Sequence, residues 1–241
     1  MKVVVIIPAA GLGTRMSPAS EFRSRKPAAS KQFSEIGGTP ILIHTLRKFA
    51  ASPEITEIYV ALRANEMAGF RSRLQTDKDL SRTKIELVEG GEHRQQSVAN
   101  AIAAVSAAPD DIVLVHDAVR PFVTTEIIHD VIEAARKYGA AIAGMPAMDT
   151  IKQVERTSEG AVITATLPRE RVVMAQTPQG FRHSLLKKAF DEATADEFLG
   201  TDEASLVERS GHEVAVVMGS PRNIKITTPA DMELAEFFLK Q

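Results

Sequence analysis

The chain contains no cysteine. That absence excludes a disulfide framework, a thiolate metal site and a cysteine nucleophile. It has no charge excess either: 29 Lys and Arg against 31 Asp and Glu leave a formal net charge of −2. A nucleic-acid partner ordinarily calls for a strongly basic face, so this balance gives that function class no support. No apolar run approaches the ~20 residues needed to cross a bilayer. The apolar stretch from Val3 to Leu12 follows only Lys2, holds Pro8 and Gly11, and leads into no small-residue cleavage pattern, so it does not read as a signal peptide. Internal repeats and low-complexity segments are missing too. The expectation is a soluble, cytoplasmic protein with no nucleic-acid or membrane partner.

What is present is an ordinary globular composition, 44% hydrophobic and 25% charged over 241 residues. At that length the chain fits one large α/β domain over 1–241 or two small ones, and either can bury a full core. Residues 3–7, 55–62, 84–88, 111–115, 140–145, 213–217 and 223–227 read as strands. Helical periodicity covers 65–75, 92–107 and 124–138, then a segment from His183 and another near 202–210. Thr39-Pro40 and Thr228-Pro229 look like helix starts, the first leading a helix to about residue 50. Such alternation predicts a mostly parallel, doubly wound (Rossmann-like) sheet with helices on both faces. Residues 151–155 and 161–166 alternate around Thr157-Ser158-Glu159-Gly160, which predicts a β-hairpin projecting as an arm over about 148–173.

Ligands of such sheets sit beyond the carboxyl ends of the strands. There the chain carries PAAGLGTR, GGEHRQQS and HDAVRP in turn. Gly11-Leu12-Gly13 is not a dinucleotide fingerprint, because Met16 stands where Gly or Ala is required, and no Gly-Lys-Ser/Thr ending makes it a P-loop. It is either a tight strand-to-helix turn or, with Arg15 and Lys31 nearby, an anion cradle of backbone N–H groups for a polyphosphate. Gly90-Gly91-Glu92 before Ser97 is a plain turn with an acidic first helical residue, or a surface on which a flat base lies against the backbone. Asp117 closes an apolar strand; a hard carboxylate beside polyphosphate is what Mg²⁺ requires, and an ion pair with Arg120 is the alternative. His116 reads as a packed or hydrogen-bonded histidine, Thr201 as a helix cap, and Lys225 as a lone cation in an apolar strand. Residues 15–31 read as a mobile loop over the site.

Taken together, PAAGLGTRM (8–16), SKQF (30–33), GGEHRQQSV (90–98), HDAVRPFV (116–123), MDTIK (148–152), AQTPQGF (175–181), TDEAS (201–205) and NIKIT (223–227) resemble the 2-C-methyl-D-erythritol 4-phosphate cytidylyltransferase family of the non-mevalonate isoprenoid pathway. The resemblance covers nearly the whole chain. HDAVRP, TPQ, TDEAS and NIKIT in that order are specific to this family and its close relatives, whereas sugar-1-phosphate nucleotidylyltransferases share a version of the opening glycine motif. It implies a homodimer interlocked by β-arms, and a reaction joining CTP and methylerythritol phosphate to give CDP-methylerythritol and pyrophosphate. On that resemblance Ala9, Ala10, Gly11, Gly91, Glu92 and Ser97 hold cytosine and ribose, while Gly13, Arg15 and Lys31 hold the triphosphate. Asp117 binds Mg²⁺, Lys225 joins Arg15 and Lys31 around the α-phosphate, and Arg120 supports the network. Thr150 and Arg169 on the arm reach the other subunit's site, with Thr177 and Thr201 near the same substrate.

Two departures from the family pattern stand out: a long loop over 16–30 ending Ser-Lys-Gln rather than Pro-Lys-Gln, and Glu92 where Asp is usual. Neither removes a needed charge. Ribitol-5-phosphate cytidylyltransferase shares the same motifs and remains the alternative. A catalytically silent nucleotide-binding regulator would have no need of Arg15, Lys31, Asp117 and Lys225 together, and a nicotinamide-dependent oxidoreductase lacks its glycine fingerprint.

Overall fold

The computed structural model describes residues 1–11, 30–158 and 160–241. The calls on Gly13, Arg15 and the loop over 16–29 lie outside the described residues. β1 (Val3–Pro8) is followed by a short hairpin of β2 (Glu35–Ile36) and β3 (Thr39–Pro40), then α1 (Ile41–Ala50), β4 (Glu57–Leu62), α2 (Ala64–Thr76) and β5 (Lys84–Glu89). α3 (Arg94–Ala104), β6 (Ile112–Val115), α4 (Thr125–Tyr138) and β7 (Ala140–Pro146) continue the alternation. The arm is the antiparallel pair β8 (Ile151–Thr157) and β9 (Gly160–Leu167). β10 (Val173–Arg182), α5 (His183–Ala195), α6 (Glu203–Arg209), β11 (Ala215–Met218) and α7 (Pro229–Leu239) complete the described elements.

The central sheet has seven strands in the order β11-β7-β10-β6-β1-β4-β5. Its strands run parallel except β10, which pairs antiparallel with both β6 and β7. Because successive strand residues point to opposite faces, β1 divides its apolar side chains between two cores. Val3, Val5 and Ile7 pack with Leu42, Leu46 and Phe49 of α1 and with Ile128, Val131 and Ile132 of α4. Val4 and Ile6 pack with Val98 and Ala101 of α3, Leu186 and Phe190 of α5, and Leu206 of α6. Strands buried on both faces read as continuous apolar runs, which is why VVVII was legible.

The sheet's order places the site. From β1 the chain winds to β4 and β5 on one side, then crosses back to β6 on the other. A crevice opens where such winding reverses, outside the carboxyl ends of the two central strands. PAAG and HDAVR leave the sheet there. A third, smaller apolar cluster of Ile36, Ile41, Val119, Ile226 and Ala235 folds the C-terminal segment back over this edge.

Several local expectations are corrected. Thr39-Pro40 is not a cap followed by a first helical residue: Thr39 pairs with Ile36 in the short ladder, and Pro40, extended at ψ 142°, is itself the N-cap of α1. α3 begins at Arg94 rather than at residue 92. Asp202, not Thr201, caps α6, because its carboxylate accepts from Ser205 N–H at 2.9 Å and the Ser205 hydroxyl answers its own backbone N–H. Residues 223–227 form no strand; Ile226 N–H donates to Val119 O at 2.9 Å. β10 was not anticipated at all, since Pro178, Gly180 and the buried polar Thr177 and Gln179 break the strand signature.

Gly180 lets α4 and the sheet pack closely: a Cβ there would lie 2.8 Å from both Leu114 Cδ2 and Val131 Cγ1. Gly180→Ala is expected to cost about 1–3 kcal/mol by overpacking, read as a lowered midpoint in thermal unfolding followed by circular dichroism; an unchanged midpoint would refute this packing.

Candidate active site

A cavity of about 220 Å³ opens at the predicted crevice. One wall is Pro8 to Gly11 after β1, with Lys31 and Gln32 beside it; another is Gly91 to Arg94 with Ser97; the floor is Asp117 to Val119 with Lys225. Residues as far apart in sequence as Pro8 and Lys225 thus meet in one place.

The residues expected to hold the nucleoside are tied together largely through backbone groups. Ala9 N–H donates to Ala61 O at 2.8 Å, and Ala9 O accepts from Gln32 Nε2, so Ala9 fixes the strand end. Arg63 Nε donates to Ala10 O at 2.9 Å. Gly90 lies against β1's exit, where a Cβ would come within 2.4 Å of Ala10 Cβ and 3.1 Å of Ser97 Oγ; only glycine admits that contact. Ser97 is buried and spends its hydroxyl on the turn itself, accepting from Gly91 N–H at 3.0 Å and donating to His93 O at 3.1 Å. Glu92 is exposed at the rim, its N–H held by Gln96 Oε1 at 2.9 Å. Among the carried-over nucleoside residues, then, the described ones all line this cavity.

At the floor sits a buried charge network. Asp117 is 6% exposed. Its Oδ2 meets Lys225 Nζ at 2.8 Å and Arg120 Nε at 3.4 Å, and its Oδ1 meets Arg94 Nε at 3.3 Å. Burial alone would raise its pKa; Arg94, Lys225 and Arg120 overcome that and hold the carboxyl well below the usual carboxylate range. Arg94 in turn gives Nη1 and Nη2 to the Glu203 oxygens at 2.7 and 2.9 Å. Burial pushes the Glu203 pKa up and Arg94 opposes it; with both oxygens accepting from the guanidinium, the pair is ionic. Arg120 also donates to Asn223 O at 2.7 Å.

Lys225 reaches Asp117 because the chain is fixed on both sides of it. Asn223, fully buried, donates to Gln176 Oε1 at 3.1 Å and Thr177 O at 2.9 Å, and Ile226 is fully buried in the third cluster. Lys225, read from sequence as a lone cation in an apolar strand, lies in no strand and is held at the cavity floor.

Thr177 and His116 hold Asp117 from behind. Asp117 N–H donates to Thr177 Oγ1 at 3.0 Å, and Thr177 Oγ1 lies 3.1 Å from His116 Nδ1. His116 Nε2 faces the Arg120 carbonyl at 3.0 Å, which only an N–H can satisfy, so Nδ1 accepts the threonine proton. Burial drives the His116 pKa down to about 4. Thr150 and Arg169 do not line this cavity: both are exposed at the arm's base, with Arg169 Nη1 donating to Met148 O at 2.9 Å. Thr201 is exposed two residues before Glu203.

Sequence reasoning quoted Arg94 and Glu203 inside its motifs but gave neither a role. A signal was present: an arginine as the first residue of a helix opposes the helix dipole, so it needs a carboxylate from elsewhere.

Residues 3–241 match the family model of IspD, 2-C-methyl-D-erythritol 4-phosphate cytidylyltransferase. The chain belongs to that family. It is therefore an enzyme, a CTP-dependent cytidylyltransferase of the nucleotidyltransferase class. The 2-C-methyl-D-erythritol 4-phosphate cytidylyltransferase of Acidobacterium capsulatum is 57% identical over all of this chain and 98% of its own length. That of Solibacter usitatus is 52% identical over all of this chain and 97% of its own. Among solved structures, the 4-diphosphocytidyl-2C-methyl-D-erythritol synthase of Anaerococcus prevotii superposes with a TM-score of 0.81 at 30% identity, covering 100% of this chain and 99% of that one. The Thermus thermophilus enzyme gives 0.76 at 34% identity with both chains fully covered. Among the described residues, no helix is long and apolar enough to cross a membrane.

The neutral His116 makes a pH prediction. Its folded pKa lies below its ordinary 6.5, so between about pH 6.5 and 4 the unfolded chain binds the extra proton and acidification destabilises the fold. From pH 7 to pH 5 this contributes a loss of about 2 kcal/mol. His116→Gln should flatten that part of the stability–pH curve in urea titrations; an unaltered slope would place the His116 pKa near its ordinary value.

Proposed function

We propose that this cavity carries out the family's reaction on CTP and 2-C-methyl-D-erythritol 4-phosphate, giving 4-diphosphocytidyl-2-C-methyl-D-erythritol and pyrophosphate for isoprenoid precursors. The observation that carries the reading is the cavity itself, which joins a backbone shelf of Pro8 to Gly11 and Gly91 to a floor that carries Asp117 and Lys225. A phosphate oxygen of the polyol substrate attacks the α-phosphorus of CTP in line; that O–P bond forms as the bond to the β-phosphate oxygen breaks, and pyrophosphate leaves. The protein supplies positioning and charge neutralisation, and no covalent intermediate is needed. Lys31 and Lys225 line the triphosphate side, and Arg15 belongs with them on the family resemblance.

Mg²⁺ fits this donor set as an ion shared with substrate. Asp117 lines the cavity and is ionised, whereas Glu203 does not line it; both Asp117 oxygens already pair with Arg94, Arg120 and Lys225, so a Mg²⁺ there would share the carboxylate with those cations. A Mg²⁺ held by one carboxylate completes its shell with phosphate oxygens and water. Asp117 would hold it, and when bound it would neutralise charge on the triphosphate.

The polyol phosphate end points to a second chain. Thr150 and Arg169 stand outside this chain's cavity, on an arm that exposes Val154, Val162, Ile163 and Leu167. Apolar surface of that kind marks an interaction site. We read it as a homodimer in which each arm places Thr150 and Arg169 at the partner's site, near Thr177 and Thr201.

Two tests follow. Purified protein with CTP and Mg²⁺ should release pyrophosphate with methylerythritol phosphate and little with ribitol 5-phosphate; the reverse preference would overturn the substrate assignment. Lys225→Ala should lose about 10²–10³ in turnover as one preorganised cation is removed, and Arg169→Ala should lose turnover through the polyol phosphate. If the arms cross, mixing the two inactive variants regains roughly a quarter of wild-type activity, because half of randomly paired dimers then hold one intact site. No recovery on mixing would sink the shared site.

A further inference from the structure

Glu203 is a buried charge that the transfer chemistry leaves without a task. It is 1% exposed and opens α6. Its backbone is fixed from both sides by β10: Gln179 Nε2 donates to Asp202 Oδ2 at 2.7 Å, and Ala204 N–H donates to Gln179 Oε1 at 3.1 Å. From that anchored position its carboxylate takes both terminal nitrogens of Arg94 at 2.7 and 2.9 Å. Only Arg94 Nε is left for Asp117, at 3.3 Å.

The consequence lies at Asp117. A guanidinium beside a carboxylate prefers to bind it through two parallel hydrogen bonds. Arg94, released from Glu203, would turn its fork onto both Asp117 oxygens and compete with Lys225, which holds Oδ2 at 2.8 Å. Glu203 prevents that turn. We infer that Glu203 is a positioning residue for cytidylyl transfer: by occupying the fork of Arg94 it keeps one oxygen of Asp117 for Lys225, and so keeps Lys225 at the cavity floor.

Charge gives the inference its particular signature. Arg94, Arg120 and Lys225 against Asp117 and Glu203 leave the network one positive charge in excess. Neutralising Glu203 raises the excess to two, which holds a triphosphate no less tightly while misplacing the cation that serves transfer. Loss of that kind falls on kcat and not on KM. A purely structural role would lower the melting temperature and raise KM.

The inference rests on CTP occupying this cavity, and the experiment separates the two. Steady-state kinetics, calorimetric CTP binding and thermal melting are measured for wild type, Glu203→Gln, Arg94→Lys and the double variant. Glu203→Gln should lose about 10–100-fold in kcat, the range seen when a group that orients a site's own ligands is removed. KM and Kd for CTP should stay within about threefold. Because Glu203 acts through the arginine fork, the double variant should be no slower than Arg94→Lys alone. A wild-type kcat in Glu203→Gln, a raised KM with kcat kept, or losses that multiply in the double variant would each overturn the inference. If Glu203→Gln fails to fold, Glu203→Asp decides, since it keeps the charge but shortens the reach: reduced kcat with KM kept supports the role, and wild-type kcat overturns it. A wild type that binds no CTP would overturn the reading of the cavity itself.

Discussion

The structure depends on one buried carboxylate. An ionised Asp117 at the end of an apolar strand is tolerable only because opposite charges surround it, since a buried unpaired charge costs several kcal/mol even after relaxation. Those charges come from three separate places: Arg94 from the start of α3, Arg120 from the turn after β6, and Lys225 from the segment before α7. Each could be solvated elsewhere on the surface. Asp117 instead gathers them, and with them the segments that carry them, around the floor of the cavity.

The fold converts this demand into geometry. Parallel strands β1 and β6 bring PAAG and HDAVR to adjacent exits, which fixes the shelf and the carboxylate relative to each other. The third apolar cluster supplies the remaining coordinate. Val119, next but one to Asp117, accepts a backbone hydrogen bond from Ile226, next to Lys225, so the apolar and ionic contacts of these two segments enforce the same registry. Full burial of a side chain such as Ile226 contributes roughly 1.5–3 kcal/mol, which adds to the Lys225–Asp117 ion pair in placing the lysine.

How much of this the amino-acid pattern disclosed follows from the range over which each feature is determined. The buried strands and the amphipathic α4 were readable because their periodicity is local and strong. The arm was readable because its alternation brackets a turn. β10 was not, because a strand whose buried face carries Thr177 and Gln179 has a pattern that makes sense only once their partners, Asp117, His116, Asp202 and Ala204, are known. The same applies to Arg94 and Glu203, which lie 109 residues apart and acquire meaning only as a pair. Lys225 was placed in the right motif but in the wrong element: its β-branched neighbours suggested a strand, whereas Ile224 and Ile226 serve a corner cluster. Motif order thus located the site, while its electrostatic design was written in long-range pairs.

That design also bears on why the site suits a transferable polyanion. In the network at the cavity floor, Arg94, Arg120 and Lys225 carry one positive charge more than Asp117 and Glu203 cancel. The two carboxylates let these cations pack within hydrogen-bond distance of shared partners. An anion in the cavity would offset the remaining charge. A triphosphate supplies that anion, and in-line transfer then moves negative charge from the α-phosphate towards the leaving pyrophosphate, within a field already fixed by folding. Catalysis of this kind requires no group to change its protonation state, which accords with a network whose carboxylate is held ionised and whose only buried histidine beside it is held neutral.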